Sequence, residues 1–126
     1  SSPVPLKALW PPIKPGDKAW RSYFSKCDAK DPLHYLNGGI WPFIGGFYVG
    51  ALVKMRDYKR AEAELDKLAQ GVMSACKIRK LKGEYEFNEW LHGKSGEPMG
   101  EPYQGWTAGM YIYAYETVKR KNTIYF

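Results

Sequence analysis

From Pro42 onwards the apolar positions predict three long helices and one extended stretch. Over residues 42–56 the chain is apolar on nearly every side. Ile44, Tyr48, Leu52 and Met55 share one helical face, while Phe43, Phe47 and Ala51 cover another. A helix of this kind has to be buried on all sides, and Pro42 suits its first turn, where a missing N–H costs nothing. Gly45, Gly46 and Gly50 each cost about 1 kcal/mol inside a helix, so the pattern implies close backbone approach. The next helix, about Asp57 to Lys77, is amphipathic. Ala61, Leu65, Leu68, Ala69, Val72, Met73 and Cys76 form one stripe, and Arg60, Glu62, Glu64, Asp66 and Lys67 lie opposite. Residues Glu84 to His92 then leave the helical period, and the Gly- and Pro-rich run from Gly93 to Pro102 reads as a loop with tight turns. A last helix, about Tyr103 to Lys121, again carries apolar groups on most faces: Trp106, Met110, Tyr111, Ile112, Tyr113 and Tyr115. The order inner, outer, inner describes a mainly all-α chain built in layers.

The first forty residues predict irregular structure. Pro3, Pro5, Pro11, Pro12, Pro15 and Pro32 each fix φ and remove a donor, a frequency that regular elements do not tolerate. The stretch also carries Leu6, Leu9, Trp10, Ile13, Trp20, Tyr23 and Phe24, so it is expected to lie against the body of the fold. A short helix over Asp17 to Ser25, capped by Asp17, fits this segment. Gly38 and Gly39 mark a turn before the first long helix.

At 126 residues the chain is the size of one modest domain, and residues 1–126 read as a single unit: a loop-rich lead-in over 1–40 and a helical part over 41–121. No apolar run reaches the roughly 18 residues of a bilayer span. The opening Ser1-Ser2-Pro3-Val4-Pro5 lacks a signal-peptide layout and an initiator Met, and reads as a trimmed or internal stretch of a longer product. Nineteen Lys and Arg against thirteen Asp and Glu give a net charge of +6. Nucleic acid is not the expected partner, because the basic clusters Lys77–Lys82 and Lys119–Lys121 fall at helix ends, where cations complement the backbone dipole. Neither a membrane nor a cofactor is expected. Cys27 and Cys76 are expected to be buried, reduced thiols in a cytoplasmic protein, and Cys27, His34, Asp28 and Asp31 show no metal-ligand spacing.

Aromatic residues make up 16% of the chain, enough for either a bulky core or a stacking surface. Glu84, Glu86 and Glu89 lie among Tyr85, Phe87 and Trp90, with Gln104 and Trp106 just beyond the loop. Carboxylates interleaved with rings suit a sugar site, where rings pack on C–H faces and carboxylates bind hydroxyls and move protons. A strand with exposed Glu and buried rings produces the same alternation.

Three motifs carry a resemblance: Asn37-Gly38-Gly39-Ile40-Trp41-Pro42, then Glu89-Trp90-Leu91-His92-Gly93-Lys94-Ser95-Gly96, then Gln104-Gly105-Trp106-Thr107-Ala108-Gly109. In this order and spacing they resemble the closing part of helical glycoside hydrolase domains, namely the neutral/alkaline invertases and the glucosidase domain of glycogen debranching (amylo-α-1,6-glucosidase) enzymes. The resemblance implies a section of an α/α toroid, a double-layered ring of helix pairs, acting on an α-glucan or a sucrose-like carbohydrate. It implies that Glu89 is the catalytic base, with Asn37, Trp41, Trp90, Gln104 and Trp106 lining the sugar pocket. Leu36 stands where those families commonly carry His, which removes one polar contact.

A ring of about twelve helices of ~12 residues with ~5-residue connectors needs more chain than this. Inverting hydrolysis also needs a general acid roughly 6.5–9.5 Å from the base. Glu84 and Glu86 lie too close in sequence to Glu89 to flank a glycosidic bond with it, and in the families resembled the acid comes from earlier helices. Activity is therefore expected only when the chain is completed, and the apolar faces of two inner helices are expected to bring self-association or a second polypeptide. A non-catalytic carbohydrate-binding module is the competing expectation.

Overall fold

The computed structural model describes residues 6–78 and 86–123, and the Glu84 carboxylate, the Tyr85 ring and the Cys76 thiol lie outside the described residues. Three helices dominate: α1 (Pro42–Lys54), α2 (Tyr58–Ile78) and α3 (Gly105–Arg120). All three pack on one another, α1 most extensively on α3. The chain is mainly helical, as the periodicity requires. Among the described residues no helix is long and apolar enough to cross a membrane.

Local chemistry sets the helix limits. Pro42 is the first residue of α1. The helix closes where Arg56 turns left-handed (φ 62°), with Arg56 N–H donating to the Val53 carbonyl and Asp57 N–H to that of Leu52. Asp57 then caps α2, its Oδ1 accepting from Arg60 N–H at 3.3 Å. Lys121 (φ 52°) ends α3 by the same left-handed device.

Ile40, Val49, Leu52, Val53, Ala61, Leu65, Leu68, Leu91 and Ala114 form the core. The helix glycines sit where backbones meet. A Cβ on Gly46 would lie 2.6 Å from the Met110 carbonyl oxygen, and one on Gly50 would lie 3.0 Å from the Tyr113 ring. The amphipathic stripe of α2 buries Ala61, Leu65 and Leu68 but leaves Met73 46% exposed. Glu64, placed by its period on the polar side, is buried instead, its carboxylate held by Lys67 Nζ at 2.8 Å. Large apolar groups stay exposed on the inner helices and at their ends: Phe47 on α1, Met55 just past its C-terminus, and Trp106, Ile112 and Tyr115 on α3.

The lead-in departs from expectation in two ways. No helix spans Asp17 to Ser25; two 3₁₀ turns form at Ser22–Lys26 and Asp28–Lys30. Asp17 closes a turn, its Oδ2 accepting from Lys14 N–H at 2.7 Å. Cys27, expected inside, is an exposed free thiol, because these short turns offer no interior to bury it. The stretch nevertheless lies on the body, with Ala8 N–H donating to the Gly39 carbonyl and Lys7 bridged to Ile40.

Candidate active site

The segment 86–93 runs through the middle of the fold, not along its edge. Leu91 exchanges both backbone hydrogen bonds with Ile40, just before α1. β1 (Trp90–Leu91) pairs antiparallel with β2 (Pro98–Met99), so the Gly- and Pro-rich stretch is a hairpin that folds back on Glu89. Two further backbone bonds fix the return: Glu89 N–H to the Glu101 carbonyl and Gln104 N–H to that of Phe87. Thr107 Oγ1 then donates to the Asn88 carbonyl, tying the first turn of α3 to the same segment. Glu89, Gln104 and Trp106 are thereby set at the N-terminal end of α3.

Glu89 is half-buried. Its Oε2 accepts from Glu101 N–H at 3.2 Å. Gly100 (φ +66°) makes room for it: a Cβ there would lie 2.6 Å from Glu89 Oε2 and 2.7 Å from Trp90 Nε1. The carboxylate and the indole N–H therefore converge on one bare backbone position. A carboxylate held by one oxygen against a ring, with the other oxygen unengaged among the described residues, suits proton abstraction from a water. Glu86 is differently placed. It is 3% exposed and accepts from Asn88 Nδ2 at 3.0 Å.

The family model for alkaline and neutral invertase matches residues 2–121. The chain belongs to that family. Among curated proteins no relative matches it. Membership in a glycoside hydrolase family makes carbohydrate the substrate class.

Within this invertase-family chain the six sequence-predicted site residues separate into two groups. Glu89, Trp90, Gln104 and Trp106 gather at the hairpin and the start of α3; Trp106 is 52% exposed, and Gln104 makes no side-chain hydrogen bond among the described residues. Asn37 and Trp41 lie behind them. Asn37 is fully buried, accepts from Ile13 N–H at 2.7 Å and donates to the carbonyls of Ile13 (2.8 Å) and Ala29 (2.9 Å). That side chain is a knot tying the lead-in to the Gly38 turn, with both its donors spent. Trp41 is 6% exposed, donates from Nε1 to the Tyr35 carbonyl at 3.1 Å, and meets the Tyr35 ring edge-on at 5.1 Å. It supports the site from beneath. Leu36, beside Asn37, is 53% exposed.

The sequence reading missed a histidine pair beside the hairpin. The His34 and His92 rings meet at 4.9 Å, and His34 also touches Trp90 edge-on at 5.8 Å. His92 Nδ1 accepts from the N–H groups of Lys94 (3.3 Å) and Ser95 (3.1 Å), which requires that nitrogen to be unprotonated. Burial, followed by the charge of His34, lowers the His92 pKa below 6.5; Glu97 opposes the shift and Lys94 adds to it. Only the folded distances show this cluster, because 58 positions of chain separate the two histidines. Among the described residues no group of His, Cys, Asp and Glu could hold a metal ion.

Proposed function

We propose that Glu89 is the general base of an inverting glycoside hydrolase that cleaves an α-glucosidic bond, of the sucrose type or at an α-1,6 branch as in debranching enzymes. The observation that carries this reading is the Glu89 carboxylate, oriented by Glu101 N–H and set beside Trp90 at the start of α3. Gln104 and Trp106 line the sugar pocket around it, while Asn37, Trp41 and the buried Trp90 act by holding the segments that face it. Hydrolysis requires a general acid on the far side of the bond, and the acid is supplied by further helices completing an α/α toroid, with residues 1–126 acting as one unit within it. Glu89→Gln in the assembled protein is the test. Turnover falls by orders of magnitude while sugar binding survives; unchanged turnover refutes the role, and lost affinity at unchanged turnover number assigns Glu89 to a binding module instead.

Completion is supported by the bare sides of α1 and α3. Phe47, Gly50, Ala51, Lys54 and Thr123 surround an open, mainly apolar hollow of about 280 Å³, and Ile112 and Tyr115 extend the uncovered surface on α3. Such surfaces are covered in a stable assembly. The chain is therefore expected to associate with a second polypeptide or with itself, and a monodisperse monomer that binds no hydrophobic dye would refute this. The exposed free thiol of Cys27 supports a reducing compartment such as the cytoplasm.

A further inference from the structure

α1 and α3 both start at the Glu89 end of the fold: Ile40, just before α1, pairs with Leu91, and Gln104 N–H, just before α3, donates to the Phe87 carbonyl. At about 1.5 Å per residue, the 13 residues of α1 carry the chain about 20 Å from that end. There a polar hollow of about 520 Å³ opens. It is lined by Lys54, Arg56 and Tyr58 around the end of α1 and by Lys121, Asn122 and Thr123 past the end of α3.

The two helices end in the same way. Arg56 (φ 62°) and Lys121 (φ 52°) both adopt the left-handed conformation that a helix end normally gives to glycine. The next N–H closes on a carbonyl five positions back, Asp57 on Leu52 and Asn122 on Thr117. Arg56 N–H donates to the Val53 carbonyl and Lys121 N–H to that of Val118. The backbone thus satisfies these terminal carbonyls without help from a cationic side chain, and glycine would fit both positions with less strain. Both long cations line one hollow instead, together with Lys54.

The neighbouring charges are engaged elsewhere. Arg120 pairs with Glu116 at 3.0 Å, Lys119 Nζ stands 5.8 Å over the Tyr115 ring, and Asp57 Oδ1 accepts from Arg60 N–H. Among the described residues no carboxylate lines the hollow. Tyr58 packs against the core, and Lys121 Nζ stands 5.5 Å over its ring, so this wall is held in place. Three full positive charges face two helix C-termini worth about half a negative charge each, which leaves an excess of about +2. A phosphate monoester carries about −1.5 to −2 at neutral pH. The volume falls in the range of about 300–1,000 Å³ typical of small-molecule sites. That is more than a bare phosphate fills, and Tyr58, Asn122 and Thr123 offer hydroxyl and amide groups to the remainder.

We propose that this hollow binds the phosphate group of a small phosphorylated molecule, held by Lys54, Arg56 and Lys121. The site stands apart from the role of Glu89, and its occupant ties together the far ends of α1 and α3.

The backbone amide resonances of Asp57 and Asn122 in the ¹⁵N-labelled full chain report occupancy. Glucose 6-phosphate, inorganic phosphate and glucose are titrated separately, with ionic strength held constant by potassium chloride. A saturable shift with glucose 6-phosphate is expected, half-complete on the order of 1 mM, with glucose silent. Arg56→Gly and Lys121→Gly should each weaken it about fivefold or more, yet melt no lower than the parent protein, because glycine relaxes the left-handed cap. Lys54→Gln, at an exposed helix position, removes the third charge without altering a cap and should weaken binding likewise. Lys119→Ala, in the same basic run but outside the hollow, should leave binding unchanged. No saturation by about 10 mM, an equal response to glucose, a response unchanged in all three lining variants, or one lost equally in Lys119→Ala overturns the proposal. Binding of inorganic phosphate with glucose 6-phosphate excluded overturns the monoester.

Discussion

Replacing Gly46 by alanine probes the contact on which the arrangement of α1 and α3 depends. In isolation the change favours the helix by about 0.8–1 kcal/mol. In the fold the new methyl group would lie 2.6 Å from the Met110 carbonyl oxygen, 2.9 Å from its Cβ and 3.0 Å from its carbonyl carbon, whereas ordinary contact begins at 3.4 Å. These are main-chain or near-main-chain atoms of α3, so no rotamer change relieves them. The two helices have to part by the better part of an ångström, loosening Val49, Leu52 and Val53 against Ala114. Overpacking of this kind costs about 1–3 kcal/mol; with rigid atoms on both sides we take the upper end, which leaves a net loss of about 2 kcal/mol. Gly109, also within α3, is the control. A Cβ there meets nothing within 4 Å, so Gly109→Ala should stabilise by about 0.8–1 kcal/mol. At about 4 °C per kcal/mol for a domain of this size, the two variants should melt about 10 °C apart, on opposite sides of the parent protein. Thermal unfolding followed by circular dichroism in dilute solution reads the difference. If Gly46→Ala is as stable as Gly109→Ala, α1 and α3 do not cross where the structure puts them.

Asn37→Ala should cost about 3 kcal/mol, because it strands the Ile13 N–H and the carbonyls of Ile13 and Ala29 together; a denaturant midpoint shifted by much less would show that the lead-in is not anchored there. The lowered pKa of His92 also makes stability depend on pH. As pH falls through 6.5 the unfolded chain takes up a proton that the folded loop refuses, so stability declines below 6.5 until the folded pKa is passed, and is fully present above it. Denaturation across that range should show a shallower slope in His92→Asn than in the parent protein; an identical slope would assign the dependence to other groups.

How legible each feature was follows from how local its cause is. α1 could be read from Pro42 and its unbroken apolar run, and α2 from one stripe at spacings of three and four, because both signals lie within the segment that folds. The fate of Asn37 could not be read. Its partners sit 24 and 8 positions away, and nothing in Asn-Gly-Gly distinguishes a side chain facing substrate from one tying down a proline-rich strap. Glu64 failed for a related reason: a period assigns a face, but Lys67 one turn on satisfies the carboxylate and lets it sit inside. Motif order placed Glu89 just before the hairpin and Gln104 and Trp106 at the start of the last helix, and the backbone bonds Glu89–Glu101 and Gln104–Phe87 draw those two stretches alongside. The role of Gly100 was not legible, because a glycine in a loop of three glycines and two prolines carries no mark of which one faces a carboxylate.

The pairing of Leu91 with Ile40 joins stretches of chain that emerge about fifty positions apart, and Asn37 waits on Ile13 from the opposite direction. Pairings between distant stretches tie the placement of one segment to the folding of another. The stretch that carries Glu89 is therefore held by chain laid down well before it, and a change in the lead-in can displace that carboxylate without touching it.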